Sequence, residues 1–321
     1  MEHSFPERPR FEEWRRGGVD CVHITLAIWE DARDTLKVIG KWHRHFEAHG
    51  DLIALATSVD DVERIARSGR TAVVFGFQNT SPFEDDIDLV RTFHALGVRI
   101  VQLTYNIQNN VANGCWEDND AGLSKVFGRN VVAEMNKLGM LIDLSHCNER
   151  TCFDTIEASS LPVAITHANP SEFVGMEIEL KRRNKSTPLI KALAKHGGVI
   201  GLSMYPRLMR GGSDSSLKTF CDMLCWTVDL VGVDHGGFGT DLYTGWPEAE
   251  IVWWRAGRFA RQSPLAISPK FAEWPRWFRS PSDFPKAVEG LAKRGFSRAE
   301  LDKIIGGNWM RLFGQTWSPA P

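Results

Sequence analysis

Two successive apolar runs in this chain each stop on a histidine: Met140-Leu141-Ile142-Asp143-Leu144-Ser145-His146 and Leu161-Pro162-Val163-Ala164-Ile165-Thr166-His167. Runs that are apolar nearly throughout, rather than at alternate residues, fit strands buried on both faces. That is the situation of a parallel sheet covered by helices. Comparable runs span Val19 to Ile28, Thr71 to Phe77, Arg99 to Tyr105, Gly198 to Met204 and Gly236 to Thr240. Helical patterns stand between them. Ser58-Val59-Asp60-Asp61 opens one like a capping box, with Gly69 as its stop. Val131, Met135 and Leu138 keep helical spacing before Gly139. Ser297-Arg298-Ala299-Glu300 is a second capping box, leading into a C-terminal helix through Ile304 and Ile305. Strands alternating with helices imply right-handed crossovers.

The expected fold is α/β, a distorted (β/α)8 barrel. The runs above supply seven strands, one short of closure, so the first strand is expected to be degenerate or missing. Only a short proline-containing stretch precedes the helix-like Phe11 to Arg16. A doubly wound open sheet is the alternative. Residues 1–321 read as one domain, with a Trp-rich excursion at about 246–281 over the barrel mouth. Trp246, Trp253, Trp254, Trp274 and Trp277 in that stretch serve either as a hydrophobic flap or subunit contact, or as an aromatic wall for a substrate, a cation included.

A formal net charge of −2 gives no basic surface for nucleic acid. No apolar stretch reaches the roughly 18 residues of a membrane span. The polar N-terminus lacks the apolar core of a signal peptide, so the expected location is cytoplasmic. The six cysteines form no Cys-x-x-Cys pair and read as reduced core thiols, Cys147 beside His146 included.

Chemistry in this fold class gathers at the C-terminal ends of strands. His146 and His167 are there, and neutral imidazole suits zinc, iron or manganese. Gly236-Gly237-Phe238-Gly239-Thr240 ends on Asp241, which can ligate a metal or accept a proton from an activated water. Gln78 ends the run Val73 to Phe77 and offers a neutral oxygen ligand or a hydrogen bond to substrate. Tyr105 can donate to a developing oxyanion, and Asn106 can orient substrate. In Lys181-Arg182-Arg183-Asn184 one arginine can fork onto a substrate carboxylate, with Arg182 reading as solvated.

Together these motifs resemble the membrane (renal) dipeptidase family: Ile142 to His146, Thr166-His167, Arg183-Asn184, Gly237 to Asp241, Gly122-Leu123-Ser124 with Phe127-Gly128, and Gly306-Gly307-Asn308-Trp309-Met310-Arg311-Leu312-Phe313. The resemblance runs from about Gly17 to the C-terminus. It implies a metal-dependent hydrolase barrel that cleaves dipeptides, tolerates a D-residue on the C-terminal side, usually holds two zinc ions and often forms a homodimer. On it, His146 and His167 correspond to ligands of one zinc, Arg183 to the arginine holding the terminal carboxylate, and Asp241 to the acid contacting the attacking water. The chain also departs from the family. The His-x-Asp pair of the family's first strand is absent before Gly17, the bridging glutamate falls on Gln78, and a carbonyl-polarising histidine falls on Tyr105. Losing two carboxylates removes the charge that holds two dications at close range, so one zinc ion or none is expected.

The function expected from this is a divergent dipeptidase-like hydrolase acting on a dipeptide or small amino-acid derivative through a metal-activated water. The alternatives are a repurposed, metal-free enzyme acting on a small metabolite, a cationic one included, and a non-catalytic ligand-binding pseudoenzyme.

Overall fold

The computed structural model describes residues 6–175, 182–247, 249–250, 253–254, 257 and 272–317. Eight parallel strands form one curled sheet: β1 Cys21–Ala27, β2 Ile53–Leu55, β3 Thr71–Phe77, β4 Val98–Gln102, β5 Leu141–Asp143, β6 Ala164–Ala168, β7 Val199–Leu202 and β8 Gly236–Phe238. The sheet order is β1-β3-β4-β5-β6-β7-β8, with β2 paired to β3. The fold is therefore the expected distorted (β/α)8 barrel. The strand missing from the sequence reading is β2, in second place, and the first strand is present as Cys21–Ala27.

β3 explains why the runs are apolar throughout. Ala72 and Val74 pack inward with Ile100, Leu141, Ala164 and Val199 as the barrel's inner core. Val73, Phe75 and Phe77 face the helices, in a second core that includes Phe93, Trp42 and Ile39. Ser58 caps the helix Val59–Arg67 by accepting from Asp61 N. Gly139 ends Phe127–Leu138 with φ 76°, a left-handed conformation that glycine adopts without steric cost. The Ser297–Glu300 capping box is present; a π turn, Lys303–Gly307, follows, and then the helix Asn308–Thr316.

That last helix locks the end of the barrel. Asn308 Nδ2 donates to Val233 O at 2.7 Å and Gly236 O at 2.8 Å, and Trp309 Nε1 donates to Phe238 O at 3.2 Å. Gly201 and Gly237 make room for the indole: a Cβ on Gly237 would lie 2.8 Å from Trp309 Nε1. Among the described residues, β8 and β1 share no ladder, so the barrel stays open along one seam.

Of the Trp-rich excursion, residues 248, 251–252, 255–256 and 258–271 lie outside the described residues, as does Lys181. The described part crosses the seam. Trp29 Nε1, just after β1, donates to Trp254 O at 2.9 Å, and Trp253 Nε1 donates to Glu30 Oε1 at 3.0 Å. No helix among the described residues is long and apolar enough to cross a membrane. All six cysteines are free thiols. Burial pushes the Cys147 thiol well above its usual range, which suits packing rather than attack.

Candidate functional site

The core of the site is a clamp across β5 and β6. Asp143, the last residue of β5, is completely buried. Its Oδ1 accepts from Ser145 N at 3.0 Å, Ser145 Oγ at 2.5 Å and Thr166 N at 3.0 Å, and its Oδ2 accepts from Thr166 Oγ1 at 2.5 Å. Ser145 Oγ in turn accepts from His167 N at 3.0 Å. One carboxyl group thus fixes both turns that carry histidine.

These bonds set the tautomers. A hydroxyl has one proton to give, and Ser145 and Thr166 both give theirs to Asp143. The 2.7 Å contact between His167 Nδ1 and Thr166 Oγ1 is then an N–H donated by the ring. His146 Nδ1 lies 2.6 Å from Asn106 Oδ1, an acceptor. Both rings therefore carry hydrogen on Nδ1 and turn Nε2 lone pairs toward each other, 3.0 Å apart. Facing lone pairs need a positive centre between them. Burial, the Arg183 guanidinium and His146 drive the His167 pKa well below its usual value, which opposes a proton in that place.

The chemistry of these donors fits a divalent cation. Neutral imidazoles steered by a hydrogen bond at Nδ1 are typical metal ligands. At zinc–nitrogen lengths of about 2.0–2.1 Å, tetrahedral ligands sit roughly 3.3–3.4 Å apart, so the rings need open only a few tenths of an ångström. Among the described residues, no cluster of three or more His, Cys, Asp or Glu converges as a metal site.

The other residues singled out from the sequence take varied places. Tyr105 stacks on His146, with ring centroids 4.2 Å apart and planes 22° apart, and Trp29 meets Tyr105 edge-on at 5.5 Å. Asn106, expected from the sequence to orient substrate, has φ 64° and holds the His146 ring through the bond above. Arg183 is 5% exposed. Its Nη1 donates to Ser145 O at 2.6 Å and its Nη2 to His167 O at 2.9 Å, so it ties the two histidine-bearing turns together from behind. Arg182 pairs with Asp118 at 2.6 Å on the exposed surface, as expected. Asp241 lies just past β8 with φ 56°, a left-handed conformation that aspartate tolerates better than most residues.

Gln78 is buried just past β3 and donates through Nε2 to Thr25 Oγ1 at 3.1 Å. That bond locates a pair the sequence reading missed. The first strand lies after Gly17, not before it: it is β1, and it carries His23-Ile24-Thr25. His23 points into the barrel, where a Cβ on Gly76 would lie 1.9 Å from its Nε2. A histidine is present, and threonine stands two residues on. The signal was a histidine inside an otherwise apolar run. Asp143 and Thr166 also went unremarked, although an acid within Leu141-Ile142-Asp143-Leu144 is a buried charge that needs partners.

Comparison with known proteins places this geometry in context. The family model of membrane dipeptidase (peptidase family M19) matches residues 8–250. Dipeptidase tcpJ of Claviceps purpurea is 28% identical over 296 residues, covering 91% of this chain and 61% of its own length. The chain thus spans about three fifths of that curated relative. An amidohydrolase from Pseudomonas aeruginosa is 32% identical, with a TM-score of 0.92 over 98% of this chain and 94% of its own. The probable dipeptidase PvdM of the same organism shares the fold, with a TM-score of 0.79 at 19% identity over 97% of this chain and 89% of its own.

Proposed function

The chain belongs to the membrane dipeptidase family (peptidase family M19), and from that premise we propose that it is a hydrolase cleaving the amide bond of a dipeptide or small amino-acid derivative. The observation that carries the reading is the pair of Nε2 atoms of His146 and His167, facing at 3.0 Å with their other nitrogens engaged. These two residues would hold a single zinc ion. When bound, such an ion lowers the pKa of a water and polarises a carbonyl.

The protein's own groups do the rest. Asp241, just past β8, is the base that takes a proton from the attacking water and passes it to the leaving amine. The Tyr105 phenol, held by its stack on His146, donates to the carbonyl oxygen as charge builds. Gln78 orients the substrate from β3. Asn106 and the Asp143–Thr166 pair keep the imidazoles aimed. Arg183 acts on substrate mainly through the Ser145 and His167 carbonyls it holds, and any Nη hydrogen left over is available to a carboxylate.

The test is turnover of a panel of dipeptides, including ones with a D-residue at the C-terminal side, by wild-type, His146→Ala and His167→Ala protein. The reading expects hydrolysis by the wild type and a fall of at least about 10³-fold in each variant, by analogy with other losses of central catalytic groups. Equal turnover by all three contradicts it.

One observation favours a second reading. Thr25 and Gln78 bond to each other, neutral with neutral, at the strand ends where the family carries metal-binding carboxylates. This suits a metal-free enzyme or a ligand-binding pseudoenzyme. Substrate panels without turnover, combined with ligand-induced stabilisation, would support it.

A further inference from the structure

Trp29 stands two residues past the end of β1 and is 8% exposed. Its backbone and its ring are both held. Glu30 Oε2 accepts from Ile28 N at 2.7 Å and from Trp29 N at 3.1 Å, which sets the backbone. The indole Nε1 donates to Trp254 O at 2.9 Å. Gly257 brings the chain close against the ring: a Cβ there would lie 2.7 Å from Trp29 Cδ2. Trp253 Nε1 donates to Glu30 Oε1 at 3.0 Å. One carboxylate thus ties the Trp29 backbone to the segment that holds its ring.

From β1 the indole reaches over β3, which lies between β1 and β4 in the sheet, to Tyr105 just past β4. The two rings meet edge-on, with centroids 5.5 Å apart and planes 80° apart. Tyr105 then stacks on His146 at 4.2 Å and 22°. Tyr105 is only half-buried, as a side chain that donates to a substrate has to be. A ring open to solvent on one side keeps its place by what packs on the others. Edge-on and stacked aromatic pairs of this kind stabilise one another beyond the area they bury. Small displacements matter at such a position, since a misplacement of about 1 Å can cost about 100-fold in rate.

We propose that Trp29 is a positioning residue for hydrolysis: it holds the Tyr105 ring on His146 and so aims the phenol at the substrate's carbonyl oxygen. This rests on the amide-hydrolase reading of the site. Trp29 acts through Tyr105, and its own place is set by Glu30 and by the Trp254 carbonyl. The phenol's bond strengthens as charge builds on the oxygen. Loss of aim therefore lowers kcat and leaves KM nearly alone.

The experiment uses the full chain, zinc-loaded for turnover and metal-free for NMR. Trp29→Met fills the space without a ring, and Trp29→Leu takes its place should that variant not fold. Trp29→Phe restores a ring without the indole N–H. On the dipeptide that the wild type cleaves fastest, kcat should fall about 3- to 10-fold in Trp29→Met, with KM within about twofold. Trp29→Phe should recover most of that loss. In a Tyr105→Phe background, which has no phenol to aim, Trp29→Met should cost less than about twofold. The ring C–H signals of His146, identified by their absence in His146→Gln, should be shifted by the Tyr105 ring current in the wild type. That shift should shrink in Trp29→Met and return in Trp29→Phe. An unchanged kcat in Trp29→Met, equal losses in the Met and Phe variants, or the same loss with and without the phenol overturns the proposal. Where the wild type itself turns over no amide, the NMR arm decides: a shift lost in Trp29→Met supports the placement of Tyr105 by Trp29 and counts instead against the hydrolase reading, and an unmoved one overturns the proposal.

Discussion

His146 and His167 approach each other through Nε2 at 3.0 Å, while their Nδ1 atoms are tied to Asn106 and Thr166. The hydrogen bonds at the back of each ring decide what the front can bind. Removing one of them loosens a ligand without deleting it. Asn106→Ala should weaken metal binding about 10- to 100-fold, read by competition with a chromogenic chelator. Unchanged affinity would mean that Asn106 does not orient the ring.

Asp143 is the residue on which the geometry of both turns depends. It accepts four hydrogen bonds with no exposure to solvent. Asp143→Ala leaves buried N–H and O–H groups without acceptors, at roughly 1–3 kcal/mol for each one unmet. A loss of at least about 3 kcal/mol in urea unfolding is expected, and a loss below about 1 kcal/mol would show that the clamp is dispensable.

Gly76 and His23 form a steric pair. A methyl group at Gly76 would sit 1.9 Å from His23 Nε2, and overpacking of this kind costs about 1–3 kcal/mol. Gly76→Ala should therefore destabilise the wild type, and the same change in a His23→Ala background should cost less, the remainder being the 2.6 Å approach of the new Cβ to Ile100 O. Additive effects in this double-mutant cycle would place His23 elsewhere.

The strands were legible because both their faces are buried, so that Thr71–Phe77 reads as apolar without interruption. β2 was not, because Ile53-Ala54-Leu55 is too short to show a period and gains its register only from β3. His146 and His167 were legible as strand-end imidazoles. Arg183 was legible as a residue to single out but not in its contacts, since its partners are backbone carbonyls that leave no trace in side-chain identity. Asp143 went unnoticed for a related reason: two of its four donors are main-chain amides. Thr25 escaped because a threonine in a β-strand is ordinary until Gln78 is seen to bond it.

The pH dependence of stability follows from His167. Burial, then the Arg183 charge and His146, hold its folded pKa well below the ordinary value. In the window between that depressed pKa and about 6.5, the unfolded chain binds a proton that the folded one refuses. Stability is then fully present above about pH 6.5 and is lost as pH falls through the window. The Tm of metal-free protein should drop on acidification from pH 7.5 to 5.5, with a smaller drop in His167→Gln. Equal slopes would assign the effect to other groups.

The central claim is that two imidazoles, without a supporting set of carboxylates, hold one catalytic ion. Elemental analysis of protein purified from zinc-supplemented medium tests it most directly. The account predicts close to one zinc per chain in the wild type and near zero in the His146→Ala/His167→Ala double variant. No bound metal in the wild type, or the same content in both proteins, would contradict it.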